Sequence, residues 1–216
     1  MKLNIPTKIT IARIVGVALL IVFLIVCTLL GPENGFVHSA IGDPSLGVYW
    51  VNVIAVVIFI LASATDYLDG HLARKWNQVT DLGKFLDPIA DKMLVNTVLV
   101  YLCFPVVGQG IPWFCVAFMI IRDLIVDTMR FLAASKGKVV AANIFGKMKT
   151  VFQMVAIPFV LLGGWPFTYF DAGWGYGRIC LILVYIATAM SIISGVIYLK
   201  DNFHIIKEGS NDEPHA

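Results

Sequence analysis

Six apolar runs, separated by short polar segments, dominate this sequence. Of its 216 residues 59% are hydrophobic and 14% are charged, a composition typical of integral membrane proteins. A helix needs about 20 apolar residues to cross a bilayer, where backbone groups must bond within their own segment. The runs predict an all-α integral membrane protein with six transmembrane helices, at residues 9–30, 48–74, 83–106, 112–134, 143–162 and 179–199.

The organisation predicted from these runs is simple. Residues 1–205 are expected to form a single six-helix membrane domain, and residues 206–216 a polar tail. The four cysteines lie within apolar runs without metal-ligand spacing, so we interpret them as packing residues rather than disulfides. Arg13, near the start of the first run, is expected to reach the lipid headgroups.

Lysine and arginine are concentrated at the two termini and in every second loop between the runs. Short cytoplasmic loops are enriched in lysine and arginine, so this bias predicts a multi-pass protein with both termini in the cytoplasm. A bacterial inner membrane is the expected location. The residues concerned are Lys2, Lys8, Arg74, Lys75, Lys136, Lys138, Lys200 and Lys207. No basic stripe indicates nucleic-acid binding.

Four carboxylates lie where the second and third runs meet, on the predicted cytoplasmic side. Asp66 and Asp69 are three residues apart, and Asp87 and Asp91 are four apart, so each pair shares one helix face. Clustered carboxylates repel one another and would take up protons unless a cation were present. Oxygen ligands suit Mg²⁺ or Mn²⁺, so the cluster predicts a divalent-metal site with room for two ions.

Small residues share the faces of these carboxylates. Gly70, Ala73 and Gly83 would let a bulky ligand approach closely. The guanidinium of Arg74 could donate hydrogen bonds to a phosphate. The pattern therefore predicts an enzyme acting on a phosphate ester. The alternative is a set of interhelical salt bridges to Arg74, Lys75, Lys84 and Lys92, which does not need small residues on those faces.

The stretch from Asp66 to Asp91 reads D-x2-D-G-x2-A-R-x8-G-x3-D-x3-D, and in this it resembles the CDP-alcohol phosphotransferase family. The resemblance implies six helices around a cytoplasm-facing polar cavity, usually in a homodimer. It also implies that an alcohol attacks the diphosphate of a CDP-linked donor and releases CMP. By resemblance Asp66, Asp69 and Asp87 are metal ligands, and Asp91 is the catalytic base and a further ligand.

The resemblance also suggests how the donor is held. Gly70, Ala73 and Gly83 would make room for the nucleotide, and Arg74 and Thr80 would bind its phosphates, although Thr80 could instead be a helix cap. Relatives often carry Asn-x-x-Thr at the start of the first helix, facing the cytidine. Thr7 and Thr10 occupy these positions here, and a first turn without a ligand role is the equal alternative.

Four cations outside the motif are candidates for binding an anionic acceptor. They are Arg122, Arg130, Lys147 and Lys149. The stretch from Arg122 to Gln153 resembles the branch of the family that uses sn-glycerol 3-phosphate. Asp123 stands where that branch usually has glutamate, and Asp127-Thr128 where it usually has a small uncharged pair. An extra acid beside the acceptor pocket could oppose a phosphate. An Asp127–Arg130 ion pair is the alternative for those two residues.

The resemblance thus implies an enzyme of phospholipid biosynthesis. It would transfer the phosphatidyl group of CDP-diacylglycerol to sn-glycerol 3-phosphate, giving phosphatidylglycerophosphate and CMP in a metal-dependent reaction. The same reaction with inositol phosphate, serine or phosphatidylglycerol as acceptor is the nearest alternative. A divalent-cation transporter is a further one, but it requires polar groups along a through-path.

Overall fold

The described part of the chain is all-helical. A computed structural model describes residues 5–42, 48–75, 81–108, 110–137, 144–167 and 178–210, except for the side chains of 5–7, 66–75, 81–85, 87, 88, 178 and 204–210. Within these ranges there are six helices and no β-strand. They are α1 (Ile5–Leu30), α2 (Trp50–Lys75), α3 (Asp81–Cys103), α4 (Trp113–Ser135), α5 (Ile144–Leu161) and α6 (Arg178–Ser210).

The predicted helices agree with α1–α5 to within about one helical turn at each end. The exception is α6, which continues to Ser210, beyond the expected end of the span at 199 and the expected domain boundary at 205. Apolar residues end where the bilayer would end, but helical hydrogen bonding can continue into polar sequence. Asn202 supports this extension by donating from Nδ2 to the Tyr198 carbonyl over 2.8 Å.

Among the described residues, three helical segments are long and apolar enough to cross a bilayer, namely Lys8–Leu30, Ile144–Leu161 and Ile179–Phe203. A shorter apolar stretch in α2 covers Trp50–Thr65 and stops where the carboxylates begin. Large apolar side chains, including Leu19, Val22 and Leu29 of α1, are exposed, as expected for contact with lipid. The protein is a membrane protein, and the count of six crossings stays a prediction.

The chain divides into two compact units. The first unit comprises Met1–Gly110 and Ile157–Cys180, and the second comprises Ile111–Ala156 and Leu181–Ala216. In the first unit α1 packs against α2 and α3, and α2 also contacts α3. Fully buried side chains from these helices, such as Leu20, Phe59 and Leu94, form its core.

One end of the first unit is closed by the segments that follow α1 and α3. Cys27, Val37, Val51 and Val107 form a buried apolar cluster there. Asn52 donates from Nδ2 to the Val107 carbonyl over 3.2 Å, and its Oδ1 accepts from the Tyr101 hydroxyl over 3.1 Å. These bonds join the first turn of α2 to the last turn of α3 and to the segment that follows it.

All four cysteines lie in the described part of the chain, and none forms a disulfide there. Cys27, Cys115 and Cys180 are buried, and Cys103 is half-buried. The interpretation of the cysteines as packing residues is therefore confirmed.

The second unit is built from α4, most of α5 and most of α6. Val126 and Met129 of α4 pack against Tyr198 of α6, with Leu199 beside them. Polar residues also lie inside this unit, where Lys149, Gln153, Ser191 and Ser194 are buried. A buried polar set is costly in a membrane protein unless it serves a function or is well paired.

Candidate functional site

The adjoining ends of α2 and α3 carry the carboxylate motif. α2 ends at Lys75 and α3 begins at Asp81, so the motif lies on two contacting helices joined by a short segment. Asp66 and Asp69 are on the last turns of α2, and Asp87 and Asp91 are on the first turns of α3. Helical backbone at these positions gives each pair a common face, as predicted.

Several predicted site residues lie at these helix ends with their side chains outside the described residues. Thr80 is outside them altogether. Asp91 is described, and it is half-buried beside Ala90, which is fully buried. The residues whose side chains are not described are Asp66, Asp69, Gly70, Ala73, Arg74, Gly83 and Asp87, and also Thr7 on α1.

The donor set of this motif fits a hard divalent cation. All four candidate ligands are carboxylates, and they are carried by two helices that contact each other. Mg²⁺ and Mn²⁺ prefer such oxygen ligands and commonly complete their shells with water or substrate phosphate. Among the side chains that are described, no other group of three or more His, Cys, Asp or Glu residues could hold a metal ion.

Two polar residues of α1 are buried in the first unit. Thr10 is 2% exposed and Arg13, one turn later, is 4% exposed. The expectation that Arg13 reaches the headgroups is therefore wrong, because its side chain is enclosed by protein. Burial of Thr10 and Arg13 on an otherwise apolar helix indicates that this end of α1 faces polar groups.

An ionic network lies inside the second unit. Arg122 of α4 donates from Nη1 to Asp123 Oδ1 over 3.0 Å. Lys149 of α5 donates from Nζ to Asp123 Oδ2 over 2.7 Å. Asp123 thus uses both carboxylate oxygens to hold two cations together, and the three side chains carry a net positive charge. The charge of Asp123 is therefore neutralised by its neighbours.

Helix α6 completes this network, which the sequence analysis did not foresee. Arg122 also donates from Nη2 to the Ser194 hydroxyl. At the next residue, a Cβ on Gly195 would lie 2.9 Å from the Arg122 Cγ atom. Ser191, Ser194 and Gly195 are spaced so that they share one helix face in an apolar run. This pattern of small residues is the sequence feature that could have predicted a close helix contact here.

The other two acceptor candidates have different surroundings. Lys147 is exposed and Lys149 is 4% exposed, because residues two apart on a helix do not share a face. Arg130 is exposed, and its Cζ lies 5.8 Å from the centre of the Tyr198 ring, within range of a cation–π interaction. The convergence of all four cations on one ligand stays a prediction.

Buried donors without partners accompany the network. Gln153, one turn after Lys149, is 3% exposed, and Ser191, one turn before Ser194, is fully buried. Among the described residues no hydrogen-bond partner exists for Gln153 Nε2, Ser191 Oγ or Arg122 Nε. Buried polar atoms are nearly always paired, so these atoms are candidates for contact with a ligand or with water.

Comparison with known proteins agrees with these features. The profile of the CDP-alcohol phosphatidyltransferase family matches residues 3–197. Three bacterial proteins, each named CDP-diacylglycerol–glycerol-3-phosphate 3-phosphatidyltransferase, are similar over nearly the whole chain. The Bacillus subtilis (strain 168) protein is 37% identical over 204 residues, covering 94% of this chain and 97% of that one. The Mycoplasma pneumoniae protein is 36% identical over 214 residues, covering 94% and 89%.

The third relative, from Haemophilus influenzae, is 36% identical over 205 residues, which cover 93% of this chain and 94% of that one. The profile match contains the whole carboxylate motif on α2 and α3 as well as the ionic network of the second unit. The sequence-based assignment is thereby confirmed, and the chain belongs to the CDP-alcohol phosphatidyltransferase family.

Proposed function

We propose that this enzyme transfers the phosphatidyl group of CDP-diacylglycerol to sn-glycerol 3-phosphate, forming phosphatidylglycerophosphate and CMP in phospholipid biosynthesis. The observation that carries the proposal is the four-carboxylate motif on the last turns of α2 and the first turns of α3, two helices that contact each other. The names of the similar bacterial proteins support the choice of donor and acceptor.

The four carboxylates are the proposed metal ligands. Asp66, Asp69, Asp87 and Asp91 would hold two Mg²⁺ or Mn²⁺ ions. When bound, such ions neutralise charge on the donor's diphosphate and on the departing CMP. Without that charge compensation the carboxylates and the diphosphate would repel each other.

The chain's own residues then position the reactants and move one proton. Asp91, half-buried on α3, accepts the proton of the acceptor hydroxyl as that oxygen forms a bond to the β-phosphorus, which carries the diacylglycerol. The bond from this phosphorus to the CMP oxygen breaks. Arg74 and Thr80 hold the diphosphate, and the small residues Gly70, Ala73 and Gly83 leave room for the nucleotide. Thr7 and Thr10 are proposed to face the cytidine.

The second unit is proposed to bind the acceptor. Its phosphate dianion matches the net positive charge of Arg122, Asp123 and Lys149. The unpaired donors of Gln153 and Ser191 suit the hydroxyls of glycerol 3-phosphate. Arg130 and Lys147, which are exposed, are proposed to attract the anion from solution.

The same proposal covers location and assembly. We place the protein in a bacterial inner membrane with six crossings, a cytoplasm-facing active site and both termini in the cytoplasm, supported by the distribution of basic residues. A homodimer is part of the proposal through the family resemblance.

The decisive experiment measures CMP release by the purified protein in detergent. The reaction would contain CDP-diacylglycerol, Mg²⁺ and one acceptor at a time. We expect release with glycerol 3-phosphate, loss of release when the metal is chelated, and recovery when Mg²⁺ is returned. Asp91→Asn should lower kcat by about a hundredfold or more, because general-base catalysis contributes on that scale. Asp201→Asn, on the exposed surface of α6, is the matched control and should keep full activity.

Other outcomes distinguish the alternatives. Release only with inositol phosphate, serine or phosphatidylglycerol would keep the mechanism and overturn the acceptor assignment. No release with any acceptor, together with Mg²⁺ flux into proteoliposomes, would replace the enzyme by a transporter.

A further inference from the structure

Helix α6 carries a buried face of small and polar residues in an otherwise apolar span. Ser191, Ser194, Gly195 and Tyr198 are spaced three, one and three residues apart, and all four are buried. Such spacing places them on one side of the helix. Ser194 and Gly195 of this face contact Arg122 of α4, the residue proposed to bind the acceptor phosphate.

Gly195 provides the space through which the Arg122 side chain runs. A Cβ at residue 195 would lie 2.9 Å from Arg122 Cγ and 3.8 Å from Arg122 Cβ. The atom affected most is near the root of the side chain, which cannot move aside as easily as the tip of a flexible chain. Any larger residue at 195 would therefore push the arginine stem out of its present path.

Ser194 and Asp123 together determine how the guanidinium is turned. Asp123 Oδ1 accepts from Nη1 and Ser194 Oγ accepts from Nη2, so two bonds define the plane of the group. A guanidinium has five N–H bonds, and three remain, the buried Nε–H among them, without a partner in the described part of the chain. A guanidinium that is already oriented loses little conformational entropy when it binds a phosphate.

We propose that Ser194 and Gly195 are positioning residues, which hold Arg122 so that its remaining N–H bonds face the acceptor phosphate. This inference rests on the proposed function, because it needs an anionic acceptor at Arg122. The competing explanation is that these residues only pack the helices, since small residues and serines commonly line contacts between membrane helices. Packing alone would affect the amount and stability of folded protein, and it would not distinguish acceptor from donor.

The test is a comparison of Michaelis constants for the two substrates in Gly195→Ala and Ser194→Ala. Misplacing a charge-assisted hydrogen bond should raise the KM for glycerol 3-phosphate about tenfold to a hundredfold, while the KM for CDP-diacylglycerol stays within about twofold. The control for Gly195→Ala is Gly16→Ala, because a Cβ at Gly16 of α1 would meet nothing within 4 Å. The control for Ser194→Ala is Thr188→Val, which removes another buried hydroxyl of α6, one bonded to the Val184 carbonyl of its own helix.

The outcomes separate this inference from the proposed function. If the unaltered protein releases CMP with glycerol 3-phosphate and both variants shift only the acceptor KM, the positioning role is supported. If both variants keep the acceptor KM, or change both KM values equally, the role is purely structural and the inference is wrong. Should Gly195→Ala not fold, Ser194→Ala decides alone, because it removes atoms and creates no clash. If the unaltered protein uses only an acceptor without a phosphate, the proposed function and this inference fall together.

Discussion

At the scale of single residues, the structure gives Asp123 a role that the sequence did not predict. In the sequence it is an acid beside a predicted phosphate site, where the related branch usually has glutamate. In the structure both of its carboxylate oxygens are bonded, one to Arg122 and the other to Lys149. Its negative charge thereby stabilises two cations that would otherwise repel each other inside the protein.

Removing the Asp123 charge should therefore destabilise the protein through Lys149. Asp123→Asn removes the carboxylate that bonds the buried Lys149, and breaking a buried ion pair from one side costs about 3 kcal/mol or more. Adding Lys149→Met removes the buried positive charge, so Asp123→Asn/Lys149→Met should be more stable than Asp123→Asn alone. The measurement is the melting temperature in detergent, with Glu33→Gln on an exposed loop as the control.

A double variant that melts no higher than Asp123→Asn would show that the network does not depend on this pair. Acceptor binding offers a second readout, because the double variant should recover stability without recovering its KM for glycerol 3-phosphate.

At the scale of helices, the two ends of the α2–α3 pair serve different purposes. One end carries the carboxylate motif, and the other is held by the Asn52, Tyr101 and Val107 hydrogen bonds. Tyr101 follows Asp91 by ten residues, about 15 Å along α3. The closed end should therefore contribute to stability without contacting the substrates.

Tyr101→Phe tests this division. The substitution leaves the buried Asn52 Oδ1 without its donor, which costs about 1–3 kcal/mol. We expect a lower melting temperature, with both KM values unchanged for the protein that stays folded. Tyr185→Phe on the exposed face of α6 is the matched control. A changed donor KM in Tyr101→Phe, with none in Tyr185→Phe, would contradict the separation of the two ends.

At the scale of the whole molecule, the number of membrane crossings decides where the termini lie. Six crossings return the chain to the side on which it began. If only the three clearly apolar helical segments crossed, the chain would end on the opposite side. Composition alone recognises three membrane-spanning segments, because α2 and α3 have polar ends and α4 carries charged residues.

Single cysteines in a cysteine-free variant can measure this topology. With six crossings, Glu33→Cys should react with a membrane-impermeant maleimide outside the cell, whereas Lys136→Cys and Asp201→Cys should react only after the membrane is opened. With three crossings, all three would react from outside. Glu33 and Lys136 lie outside the apolar segments, and Asp201 is an exposed residue two positions before the end of the last one.

The sequence alone was sufficient for the helices, the carboxylate motif and the family. Apolar runs of bilayer length have only one stable backbone solution in lipid, the helix, so α1–α5 were placed to within about a turn. The four carboxylates and their small neighbours have a spacing that packing without a ligand does not require. These features are local, and local patterns can be recognised without coordinates.

Tertiary structure decided which polar residues meet. Which of Lys147 and Lys149 faces inward, the burial of Arg13, and the contact of Ser194 and Gly195 with Arg122 all depend on partners distant in the chain. Ser194 lies 72 residues from Arg122, and no periodicity within either helix specifies that pairing. Helix propensity depends on neighbouring residues, but the orientation of a side chain inside a bundle depends on how the helices pack, because the same face can meet lipid, water or another helix.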